Sequence, residues 1–80
     1  MDAMKLEIGR VVCSKAGRDK GGFLAVVGYE GEYLLLADGK ERPLERPKRK
    51  RRIHLSVTGT VFEGYSLRSN RELRRALQQL

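Results

Sequence analysis

Tryptophan is absent from this 80-residue chain, and cysteine and histidine occur once each, as Cys13 and His54. A single cysteine rules out an intramolecular disulfide, and its place in an apolar run fits a reducing, cytoplasmic compartment. There are no CxxC pairs, no histidine cluster and no carboxylate constellation at metal-ligand spacing, so neither a metal nor another cofactor is expected. Cys13 and His54 could form a dyad only if folding joined them; Cys13 also reads as a small strand hydrophobe and His54 as a half-exposed polar residue. The glycines from Gly17 to Gly22 lack the Gly-Lys-Ser/Thr ending of a nucleotide-phosphate loop. With so few nucleophiles, acids and bases, the expectation is a non-enzyme without a small-molecule substrate. No apolar run approaches the ~18 residues that span a bilayer, and Met1 to Lys5 lack the apolar core of a signal peptide.

Acidic residues are also in short supply: ten, against seventeen lysines and arginines, a net charge of +7. Between Lys40 and Arg52 eight basic residues face only Glu41 and Glu45, which leaves +6 in one segment. A single-sign block of this kind recruits phosphates or acidic surfaces, and salt weakens it. Pro47-Lys48-Arg49-Lys50-Arg51-Arg52 is its centre, read as nucleic-acid contact, with a solvated charge run or an import signal as the plainer alternatives. Lys15, Arg18 and Lys20 form a second basic spot in a glycine loop, where backbone N–H groups can approach a phosphate closely. Tyr29, Tyr33 and Phe23 are candidates for base stacking, although aromatics in strands are usually core.

Eighty residues make one domain, and from Leu6 to Leu55 short apolar segments alternate with turn signals, the spacing of a small all-β barrel. Ile8 to Ser14 reads as a first strand of ambiguous register, since both alternate faces are apolar; a bulge near Gly9 would resolve it. Lys15 to Gly22 is a loop, and Phe23 to Val27 is a second strand. Glu30-Gly31 offers a tight turn into a third strand, Tyr33 to Ala37. Asp38-Gly39 signals a type I′ hairpin, leading to a polar fourth strand at about Lys40 to Leu44, placed at an edge by Pro43 and Pro47. Ile53-His54-Leu55 predicts a brief fifth strand. After loop-like residues, Ser69 and Glu72 fit a capping box opening a helix over about 69–80. Its apolar stripe is Leu73, Ala76, Leu77 and Leu80, opposite Arg71, Arg74 and Arg75. A helix this short needs a surface to pack on, either the barrel or a partner.

The stretch Gly9-Arg10-Val11-Val12-Cys13-Ser14-Lys15-Ala16-Gly17-Arg18-Asp19-Lys20-Gly21 resembles the KOW motif, with its G-x-V-V start, central glycine and following Lys-Gly. Through Asp38-Gly39, Pro47-Lys48-Arg49-Lys50 and His54-Leu55, about fifty residues are similar to small bacterial relatives of archaeal and eukaryotic KOW-type large-subunit ribosomal proteins. The resemblance implies a mainly β fold: a five-stranded Src-homology-3-like barrel over residues 5–56, with an extension over 57–80 that ends in the helix. It also implies a module that binds structured RNA, typically ribosomal, through Lys15, Arg18, Lys20, Lys48, Arg49, Lys50, Arg51, Arg52 and His54. The alternative is a protein-interaction module of the translation or transcription machinery, using Leu73 and Leu77. Charge alone does not separate RNA from DNA.

Overall fold

The computed structural model describes residues 6–17 and 20–80; Lys5, where the barrel was expected to begin, and Arg18 lie outside the described residues. Five strands form one antiparallel sheet: β1 (Arg10–Ser14), β2 (Phe23–Glu30), β3 (Tyr33–Ala37), β4 (Lys48–Lys50) and β5 (Leu55–Val61), in the order β4-β3-β2-β1-β5. An α-helix, α1 (Asn70–Gln78), follows. No helix among the described residues is long and apolar enough to cross a membrane.

The sheet is strongly curled. Laid flat, five strands would hold β4 and β5 about 19 Å apart. The chain crosses from Lys50 to Leu55 mostly through a 3-10 turn at Arg52–His54, a path of at most about 14 Å. Only a sheet that bends toward closure brings its two edges within that reach. The concave side is filled by Leu6, Val12, Leu24, Val26, Leu34, Leu36 and Leu55, all buried.

The convex side is buried as well, over part of its area. Val11 and Ala25 are cross-strand partners, as are Ala25 and Ala37, and Leu73 of α1 packs on the two alanines with Val27, Leu44, Phe62, Leu67 and Leu77 around it. Small side chains at 25 and 37 let the helix come close. This double burial explains why β1 shows apolar residues on both alternate faces: Val12 points into the curl and Val11 lies on the face that carries the helix. Leu73 is 0 % exposed and Leu77 packs partly buried beside it, so this part of the stripe lies on the sheet and Leu73 is not a free docking residue; Leu80, beyond the end of the helix at Gln78, is exposed.

Gly9 has φ +96°, donates to the Val26 carbonyl at 2.7 Å and accepts from the Phe62 amide at 2.8 Å. It thus ties the start of β1 to both neighbouring strands. The irregularity lies not in β1 near Gly9, as expected, but in its partner: from Arg10 to Val12 the β5 register moves from Val61 to Val57, so the extra residues belong to β5. The extra residues are held by Thr58, whose hydroxyl donates to the Val11 carbonyl at 2.8 Å and accepts from the Thr60 amide at 3.2 Å.

Three elements depart from the sequence expectation. The fourth strand is not Lys40 to Leu44 but the basic Lys48–Lys50. Asp38-Gly39 does not close a two-residue hairpin; the Asp38 carboxylate instead accepts from the Lys40 and Arg42 amides, both at 2.8 Å, and shapes a wider loop. The fifth strand begins at Leu55, with Ile53 and His54 in the 3-10 turn, and continues to Val61, across the expected 56/57 division. The helix opens as expected: Ser69 Oγ accepts from the Glu72 amide at 3.2 Å.

Candidate nucleic-acid interface

Among the described residues β4 is an edge strand, paired with β3, and its alternation divides the basic run between two faces. Lys48 stands opposite Leu36 and Lys50 opposite Leu34, on the concave side beside core leucines, and both are half-buried, as long side chains with apolar stems can be. Arg49 stands opposite Leu35, on the convex side, and Arg51 follows two residues on. The segment is therefore two rows of charge, set on opposite faces of one edge.

The concave rim joins the first loop to this edge. Lys50 Nζ donates to the Ala16 carbonyl at 2.8 Å, and the Lys15 amide donates to the His54 carbonyl, also at 2.8 Å. The Lys20 amide donates to the Gly17 carbonyl and the Gly21 amide to the Ser14 carbonyl, closing the loop back onto β1. Lys15, Lys20, Arg52 and His54 are exposed. The structure thus brings Lys15, Lys50, Arg52 and His54, from two separate stretches of sequence, to one end of the curl.

On the convex side, Arg49 and Arg51 both lie over the Tyr33 ring, 5.3 and 5.7 Å from its centroid. Each also meets a carboxylate of the β2–β3 turn region: Arg49 with Glu30 at 3.4 Å and Arg51 with Glu32 at 2.9 Å. These are exposed pairs, worth about 0.2–1 kcal/mol each, so a phosphate can compete for either guanidinium. Tyr33 is 38 % exposed, with cations beside its ring. Tyr29 instead donates its hydroxyl to the Leu6 carbonyl, and Phe23 is cross-strand to Cys13. The Cys13 thiol donates to the Ser14 carbonyl at 3.8 Å.

No known protein family and no curated protein matches the chain.

The sequence places the arginines of the C-terminal region on the solvent side of an amphipathic helix, and the structure shows them as a further exposed cationic patch. Arg68, Arg71, Arg74 and Arg75 are all exposed, against a single acidic residue, Glu72, on the same stretch. The signal was the imbalance itself, four cations to one anion.

Proposed function

We propose that this protein is a non-catalytic RNA-binding module of the KOW type, a cytoplasmic accessory factor that grips structured RNA, with ribosomal RNA the first candidate by resemblance. What supports the reading most is the meeting of the first loop with the basic edge, through Lys50 on Ala16 and Lys15 on His54. Two basic stretches some thirty residues apart in sequence become one cationic rim. Such a rim suits a phosphate backbone followed by charge and shape. Base-by-base readout is not expected, because side chains do not enter the narrow major groove of A-form RNA. The resemblance of Gly9 to Gly21 to the KOW motif supports RNA over DNA. Protein contact through Leu73 and Leu77 has less support, because Leu73 is wholly buried and Leu77 partly so.

The test is fluorescence-anisotropy titration against a structured ribosomal RNA fragment and a duplex DNA of equal length, over a range of salt. The companion variant is K15Q/K20Q/R49Q/R51Q/R52Q, which leaves the half-buried Lys48 and Lys50 in place. Tighter binding to RNA than to DNA, falling with salt and lost in the folded variant, is the expected result. Equal binding to both polymers would leave only unspecific polyanion attraction.

A further inference from the structure

The geometry points to a second phosphate-contacting surface on the outer side of α1, continuous with Arg49 and Arg51, so that a bound RNA runs along the convex face of the sheet as well as over the concave rim. The inference rests on the RNA-binding reading and extends it to residues outside the first loop and the basic edge.

Leu35 and Ala37 alternate along β3 with the buried Leu34 and Leu36, which places Tyr33, Leu35 and Ala37 on the convex face. Arg49 and Arg51 flank Tyr33 at one end of that row, and α1 sits on Ala37 at the other. From Tyr33 to Ala37 is about 13 Å along the strand. At the helix end, Gly39, Asn70, Arg71, Arg74, Arg75 and Gln78 line an open cleft. Gly39 brings no side chain and faces the helix backbone at Asn70 and Arg74, so the floor is main chain and the walls are guanidinium and amide groups.

No ion pair engages Arg71, Arg74 or Arg75 among the described residues, in contrast to Arg49 and Arg51, which meet Glu30 and Glu32. Three unpaired guanidinium groups offer planar, multidentate donors suited to phosphate oxygens. A single free phosphate cannot touch both ends of a row about 13 Å long. A polymer with regularly spaced phosphates can, and the two ends then bind as one linked pair, each raising the effective concentration of the other's ligand.

The experiment compares R71Q/R74Q/R75Q with the wild type in the same RNA titrations over salt, with circular dichroism to establish the fold and R71K/R74K/R75K as the charge-preserving companion. Each phosphate contact adds about 0.7–0.9 to the slope of log affinity against log salt. The glutamine variant is therefore expected to lose about two units of slope and at least about tenfold in affinity at about 0.1 M salt, and the lysine variant to recover most of the slope. A folded glutamine variant that binds with wild-type affinity and slope would overturn this inference and leave the rim reading standing. So would weakened binding at unchanged slope, because the arginines would then act without displacing counterions. A wild type that binds no RNA would instead overturn the proposed function itself.

Discussion

Gly39 and Gly21 have the same left-handed backbone, with φ of +80° and +88°, but their surroundings differ. A Cβ on Gly21 meets nothing within 4 Å, whereas one on Gly39 collides with the Asn70 carbonyl and lies 3.1 Å from the Arg74 amide. Left-handed backbone costs a side-chain-bearing residue roughly 1–2 kcal/mol, and overpacking adds about 1–3. G21A should therefore lose roughly 1–2 kcal/mol by urea denaturation and G39A roughly 2–5; equal losses would mean that α1 does not rest on the Gly39 loop. Asn70 fixes the same contact from the helix side, accepting from the Leu44 amide at 2.7 Å and donating to Glu45 at 2.9 Å. The Asn70 amide, followed by Glu45's own backbone amide, holds that carboxyl below its ordinary value of 4.5. Glu7 is lowered too, first by its own backbone amide and then by Arg10. A carboxyl lowered in the folded state adds stability above about pH 4.5, and the contribution disappears as acid takes the pH down through the folded value. Urea midpoints should fall on acidification below that point, and E45Q, which keeps an acceptor for Asn70, should lose less on acidification than the wild type.

Among the elements, α1 was the most legible in the sequence, because Ser69 and Glu72 announce its start and Leu73, Ala76 and Leu77 its face. β2 and β3 were legible too, since a continuous apolar run of strand length, bounded by turn residues, is too short for a buried helix and fits a buried strand. β4 was not, for a physical reason: its inward positions are lysines, whose half-buried side chains carry no apolar letter, and Asp38-Gly39 mimics a hairpin that the Asp38 side chain diverts into a wider loop. β5 hid behind Thr58-Gly59-Thr60, which looks like a turn and is a bulged strand. The helix draws its stability from docking rather than from propensity, as nine residues alone are marginal in water. L73A should accordingly cost about 2–5 kcal/mol and S69A about 1, while L80A, at a residue 53 % exposed, should cost little. Circular dichroism melts check all three; a harmless L73A would show that α1 is held by something other than its leucine on Ala25 and Ala37.

For the molecule as a whole, charge and core act on separate scales, and salt pulls them apart. The sequence revealed that the charge was concentrated but not that strand alternation would divide it between two faces or that folding would join it to the first loop. Both depend on pairing register, which the lysine and arginine letters do not encode. The core is apolar, and the ion pairs among the described residues, Glu7 with Arg10, Arg49 with Glu30 and Arg51 with Glu32, are all at the surface. Screening them costs little and is opposed by relief of repulsion among seventeen cations set against ten acids. Folding stability should therefore hold steady or rise slightly between about 0.05 and about 0.2 M salt, since screening exposed pairs is a small term. RNA affinity should move the other way. Five phosphate contacts at the rim and edge and three on α1, at about 0.7 each, give a slope of about −5.6, a loss of roughly two-thousandfold over the same fourfold change in salt. Measuring urea midpoints and anisotropy in the same buffers separates the two: if stability fell in parallel with binding, the lost affinity would be lost fold, and the cationic rim would not be the cause.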